Sequence, residues 1–260
     1  MDSKMCLWHA SALRCDDLLG HTGSISQVDV HGSIAVSASY DRSLRVWDCD
    51  RRTCLSTLKG HGNPVTSFAW CGSLVMSGDR RGGVKMWDLE TSQCIGNFET
   101  QGGQVGALGH ILSDSMGHLS YVGDQSGTLT VFDIRRSGSK PVFREILHPG
   151  GVIALAECIP SRDTIVTAGA DRRMLCLDTR MDLAPVHEWT DHKDFIYSLK
   201  TFGNLVLSGA GNGWLLVHDA ESGQCLYGLG ANKAAVRCIA ATPTKLVCAG
   251  DDGTAVVYDY

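Results

Sequence analysis

Short apolar runs closed by Gly, Asp or Ser succeed one another along the whole 260-residue chain, with few stretches that carry a helical period. Residues 33–39 (Ser-Ile-Ala-Val-Ser-Ala-Ser), 73–77 (Ser-Leu-Val-Met-Ser) and 204–208 (Asn-Leu-Val-Leu-Ser) are of this kind. β-Branched and aliphatic residues bounded by turn formers predict β-strands. About four such runs fall in each stretch of some forty residues, so the pattern predicts an all-β chain built from four-strand units.

The units are marked at both ends. Six apolar strands close on an aspartate: Asp48, Asp88, Asp133, Asp178, Asp219 and Asp259, at successive spacings of 40, 45, 45, 41 and 40 residues. Near the start of each unit a residue stands four places before a β-branched one: His21 before Ile25, His61 before Val65, His148 before Val152 and His192 before Ile196. Gln101 before Val105 and Asn232 before Val236 take the same place without the imidazole. A four-strand sheet cannot bury both faces alone, so units of this size pack radially and protect their edges. The repeats run over about 20–59, 60–99, 100–146, 147–190, 191–229 and 230–260, and one domain over 1–260 is expected.

This repeat, opening on Gly-His and closing on Trp-Asp, resembles the WD40 (G-protein β-subunit-like) family of β-propellers over essentially the whole chain. The resemblance implies a hydrogen-bonded tetrad of His, Ser or Thr, Asp and Trp in each blade. Repeat one matches throughout, with His21, Ser37, Asp41 and Trp47. Repeat two offers His61, Ser77 and Trp87, with Arg81 in the place of the turn aspartate; repeat four offers His148, Thr167 and Asp171, with Leu177 in place of Trp. Repeat five offers His192, Ser208, Asn212 and His218, and repeats three and six depart further. Recurrence at equivalent positions makes these histidines structural, since a buried imidazole or indole N–H needs a partner. They are not expected to be catalysts or metal ligands.

Composition changes little in this picture. Lys plus Arg number 23 against 28 Asp plus Glu, for a net charge of −5, which disfavours general nucleic-acid binding by phosphate neutralisation. No stretch approaches the length of a membrane span, and the start has no basic, apolar leader, so a cytoplasmic or nuclear protein is expected. The 11 cysteines are odd in number and form no CxxC pair, which favours reduced thiols. Cys54, Cys94 and Cys225 recur at the opening of the outer strand, where a small apolar residue packs.

Residues 6–9 (Cys-Leu-Trp-His) stand where a seventh closing strand would, and Asp2 precedes Trp8 by the six residues that separate Asp41 from Trp47. Residues 1–19 thus read as a partial blade. A six-bladed ring would result if 16–19 supplied the outer strand of the last blade; the unbroken spacing through Asp2 favours a seven-bladed or larger parent.

The resemblance places the loop before each His and the turn holding the tetrad Asp on one face, the top. Those turns carry Tyr40 and Arg42, Arg80 and Arg81, Arg172 and Arg173, with Phe195 and Trp214 in repeat five. Longer connections near 111–118 and 158–163 fall on the opposite face. Five arginines converging on one rim of an acidic chain suggest a patch for an acidic or phosphorylated peptide held by bidentate contacts. The expected function is a non-catalytic scaffold for protein or peptide partners within a larger complex. Its most concrete form is the substrate receptor of an SCF-type ubiquitin ligase, since the short repeats look similar to those of F-box/WD-repeat proteins; adaptors in trafficking, RNA processing or chromatin are the alternative. With no GxSxG, HExxH or Walker loop, neither catalysis nor a cofactor is expected.

Overall fold

The computed structural model describes residues 3–9, 14–111, 118–135, 140–158 and 163–259, and among them every regular element is a strand. A two-stranded ribbon, β1 (Met5–His9) with β2 (Arg14–Leu18), precedes six sheets. Blade one is β3 (Ile25–His31), β4 (Ile34–Ser39), β5 (Ser43–Asp48) and β6 (Thr53–Lys59). Blade two is β7 (Val65–Cys71), β8 (Leu74–Asp79), β9 (Gly83–Asp88) and β10 (Gln93–Glu99). Blade three is β11 (Val105–Ile111), β12 (Leu119–Asp124), β13 (Thr128–Asp133) and β14 (Phe143–Ile146). Blade four is β15 (Val152–Cys158), β16 (Thr164–Gly169), β17 (Met174–Asp178) and β18 (Ala184–Trp189). Blade five is β19 (Ile196–Phe202), β20 (Leu205–Ala210), β21 (Trp214–Asp219) and β22 (Cys225–Gly230). Blade six has three strands, β23 (Val236–Ala241), β24 (Lys245–Gly250) and β25 (Ala255–Asp259).

Within each blade the strands pair antiparallel in chain order, and the first strands of successive blades lie side by side, which makes the arrangement a β-propeller. The core lies between blades: Val36, Leu44 and Leu58 of blade one pack with Val65, Phe68 and Trp87 of blade two, and the pattern recurs from blade to blade as far as blade six. Every first strand has a register shift near its start, as at Ile25/Gln27 and Val65/Ser67. A hydroxyl just past that point reaches the neighbouring blade: Ser26 Oγ donates to the Val65 carbonyl at 2.9 Å, Thr66 Oγ1 to Val105 at 2.7 Å.

Residues 16–18 do not close the last blade. They belong to β2, which pairs with β1, and the ribbon packs on blade one through Met5 and Leu18 against Ala35 and Trp47. Asp2 and most of the two longer connections lie outside the described residues.

Candidate functional site

The turn after each second strand is tied to the loop that leads into the same blade. The N–H groups of Tyr40, Arg80, Gln125, Ala170, Gly211 and Asp251 donate to the carbonyls of Ser24, Pro64, Gln104, Gly151, Phe195 and Ala235, at 2.8–3.2 Å. Both segments therefore lie on one face of the ring, and the tetrads stand directly beneath it.

In blade one His21 Nδ1 donates to Asp41 at 2.7 Å, Ser37 Oγ joins His21 Nε2 at 2.8 Å, and Trp47 Nε1 donates to Ser37 Oγ at 2.8 Å. The carboxylate accepts only, so the chain of donors has a single sense: Trp to Ser, Ser to His, His to Asp. Burial opposes ionisation of Asp41, but hydrogen bonds from Ser43, His21 and the Thr22 N–H bring its carboxyl down to about 2.

Blade two corrects the expectation that Arg81 displaces the tetrad aspartate. Asp79, two residues earlier, takes the role: its Oδ2 lies 3.1 Å from His61 Nδ1 while its Oδ1 accepts the Arg81 and Gly83 N–H groups. Ser77 Oγ sits 2.7 Å from His61 Nε2 and accepts from Trp87 Nε1. In blade four His148 pairs with Asp171 at 3.0 Å and Thr167 at 2.8 Å. Burial holds His61 and His148 below the usual imidazole value despite Asp79 and Asp171.

Blade five departs in a different way. His192 Nε2 joins Ser208 Oγ at 2.7 Å, but Asn212 stands where a carboxylate would, and burial together with repulsion from His218 lowers His192 to about 4. His218, fully buried in the place of Trp, turns away from Ser208 and donates through Nε2 to Asp191 at 3.1 Å. Blade six keeps a reduced form, in which Asn232 Nδ2 donates to Asp252 at 3.0 Å. The recurring cysteines also differ from expectation. Cys94 and Cys225 are exposed, and all three sit opposite the tetrad's third-strand residue at a register shift, as Cys54↔Trp47, Cys94↔Trp87 and Cys225↔His218.

Of the residues expected on the top face, Arg42, Arg80, Arg81 and Arg172 are exposed, and none has a carboxylate partner among the described residues. Arg173 is different: its guanidinium lies 3.2 Å from Glu188 and 3.7 Å from Asp171 and is spoken for. Tyr40, Phe195 and Trp214 are 40%, 45% and 49% exposed. Several arginines elsewhere are neutralised: Arg135 and Arg180 fold onto Asp133 and Asp178, Arg52 meets Asp16, and Arg237 forks onto Asp251. Two of the four free arginines hold a costly backbone. At the left-handed position of the turn, blades two, three, five and six place Gly82, Gly127, Gly213 and Gly253, whereas blades one and four place Arg42 (φ 71°) and Arg172 (φ 67°). A Cβ there costs about 1–2 kcal/mol relative to the right-handed region. That alternation of Arg with Gly is visible in the sequence and is the signal that position-by-position reading missed. Beside Trp214, a cavity of about 230 Å³ is lined by Asp191, His192, Lys193, Asn212, Trp214 and Leu216.

Comparison with known proteins follows the same repeats. The family model "WD domain, G-beta repeat" matches residues 13–48, 52–88 and 223–259. Telomerase protein component 1 of Mus musculus is 28% identical over 124 residues, 46% of this chain and 5% of that protein. The WD repeat-containing protein pop1 of Schizosaccharomyces pombe and Cell division control protein 4 of Saccharomyces cerevisiae are each 49% identical over 43 residues, 16% of this chain and 6% of theirs. The chain thus spans a small part of the curated relatives it matches. A chain of the Mitotic Checkpoint Complex superposes with a TM-score of 0.89 at 20% identity, covering 99% of this chain and 82% of that one. The computationally designed Ika8 protein gives 0.80 at 23%, covering 100% and 81%. At these identities the two structures speak to the fold alone.

Proposed function

The chain belongs to the WD40-repeat β-propellers, and on that basis we propose that it is a non-catalytic scaffold whose top face holds an acidic or phosphorylated segment of a protein partner. The supporting observation is the set Arg42, Arg80, Arg81 and Arg172, exposed on one face without carboxylates while most other described arginines are ion-paired. A guanidinium gains most from a bidentate oxyanion, and one fixed on a short turn loses little freedom on binding it. Tyr40, Phe195 and Trp214 supply exposed aromatic area on the same face, the kind of residue that dominates interface energetics.

The test is a panel of phosphorylated and unphosphorylated acidic peptides, measured by fluorescence polarisation against the protein and its Arg81→Glu/Arg172→Glu variant. The phosphorylated members should bind more tightly, binding should fall at least about tenfold in the variant and weaken with salt, and the melting temperature should stay within about 2 °C. Equal binding by the variant would remove the arginines from the site. A second reading makes the scaffold the substrate receptor of a ubiquitin ligase, on the similarity of repeat one to F-box/WD-repeat proteins. Co-purification with ligase core subunits is its test.

A further inference from the structure

Two substitutions meet a retained cysteine in blade five and nowhere else among the described residues. In blade two Gly60 packs against the Trp87 ring, a Cβ on it standing 3.3 Å from the ring's Cη2, and Cys94 lies opposite Trp87 across the outer strand pair. In blade five the glycine's place is taken by Asp191, the tryptophan's by His218, and the cysteine is retained as Cys225. An apolar contact has become a carboxylate, an imidazole and a thiol whose donor atoms all lie within 4.8 Å of one another. Of the two His218 ring nitrogens, Nε2 faces Asp191 at 3.1 Å while Nδ1 is buried with no partner. With no partner on Nδ1, the ring's one proton can stand on either nitrogen, which leaves Nε2 able to serve as a ligand beside Asp191. Trp189 packs on His218 with the rings 5.3 Å apart and tilted by 49°, and its Nε1 donates to the Gly223 carbonyl at 2.8 Å.

We propose that blade five carries a transition-metal site of the Zn²⁺ class, formed by the Asp191 carboxylate, a ring nitrogen of His218 and the Cys225 thiolate, with a fourth position open to solvent. One oxygen, one imidazole nitrogen and one sulfur suit a borderline ion in tetrahedral geometry, with bonds of about 2.0–2.3 Å; Ca²⁺ and Mg²⁺ prefer all-oxygen shells. Two ligands bonded to one such ion stand roughly 3–4 Å apart, so the 3.1 Å Asp191–His218 separation fits as it is and Cys225 needs only a side-chain adjustment. On binding, the His218 proton moves from Nε2 to Nδ1 so that Nε2 presents a lone pair, and the Cys225 thiol gives its proton to solvent as its thiolate donates to the metal. The exposed group Cys6, Cys15 and Asp17 is a poorer site, because Lys4 already neutralises Asp17 at 3.0 Å. The ion would pin the loop before His192 to the outer strand, beside the cavity at Trp214.

The experiment is a Co²⁺ titration of the full chain followed by its thiolate-to-metal absorption, with Zn²⁺ as competitor, in a Cys6→Ser/Cys15→Ser background that removes the other cluster. One equivalent of Co²⁺ should bind and be displaced by Zn²⁺. Cys225→Ser should abolish the thiolate band, and Asp191→Asn should weaken binding at least about tenfold. His218→Trp, made together with Asp191→Gly so that the ring has the room that Gly60 gives Trp87, should fold with an undiminished melting temperature yet bind no metal. The proposal is overturned if the folded background protein takes up no Co²⁺ or Zn²⁺ at millimolar concentration, or if the band survives Cys225→Ser or His218→Trp with Asp191→Gly.

Discussion

Asn212→Asp should make the protein more resistant to mild acid. Asn212 Oδ1 accepts the Trp214 N–H at 3.2 Å, as Asp41 Oδ1 accepts the Ser43 N–H at 3.0 Å and Asp171 Oδ1 the Arg173 N–H at 3.2 Å, so all three side chains occupy one position. In blades one and four the second oxygen meets the histidine; in blade five an amide stands there, and His192 falls to about 4 through burial and the nearby His218. The folded value lies below the unfolded imidazole's, about 6.5, so protonation favours unfolding. The contribution of His192 is complete above pH about 6.5 and is lost as pH falls toward 4, by up to about 1.4 kcal/mol per unit. Between pH 7 and about 4.5 the loss is about 2 kcal/mol. An opposite charge on Nδ1 raises a pKa by about one to three units, which cuts that loss to about 1 kcal/mol, and the new hydrogen bond adds about 1 kcal/mol at neutral pH. Urea unfolding at the two pH values measures the difference, and imidazole NMR titration reports His192 directly. If His192 still titrates near 4 in the variant, or both proteins lose the same stability in acid, the carboxylate is not what separates blade five from blades one and four.

Arg42→Gly with Arg172→Gly should raise stability by up to about 1 kcal/mol by relieving two left-handed backbones, while weakening phosphopeptide binding; a fall in the urea midpoint would show that these turns are not strained. Gly127→Ala, which would set a Cβ 1.8 Å from the His148 carbonyl oxygen at φ 84°, should cost more than about 3 kcal/mol. Gly32→Ala, also left-handed at φ 63° but with open space around it, should cost only about 1–2 kcal/mol, and equal melting temperatures for the two variants would refute the steric part of the argument.

The strand sets and their boundaries were legible because a propeller repeats one hydrophobic pattern, and the spacing of Asp48, Asp88 and their successors carries it through substitutions elsewhere. The site was less legible, because the fold fixes a balance of donors and acceptors and not the residue at each position. Asp79 serves His61 from two residues before the expected place, which no alignment by rank reveals. In blade three the imidazole and the indole are lost together, and the hydroxyl between them becomes Val122, buried against Phe132: with no N–H to accept and no ring nitrogen to serve, an apolar residue leaves nothing unpaired there. Blade three still strands one carboxylate oxygen, Asp124 Oδ2, while Asp124 Oδ1 takes the Ser126 and Thr128 N–H groups. Blade five strands His218 Nδ1. The difference between the two is what stands nearby. Asp124 has only backbone and hydroxyl donors within reach, so its spare oxygen is a local cost of losing the histidine. His218 has a carboxylate and a thiol within 4.8 Å, because the coupled exchange of Gly for Asp and Trp for His brought a carboxylate and an imidazole to the retained cysteine. A departure from the repeat that merely decays leaves one unmatched atom; one that assembles three ligand types at a single point has been built toward something the other blades do not hold.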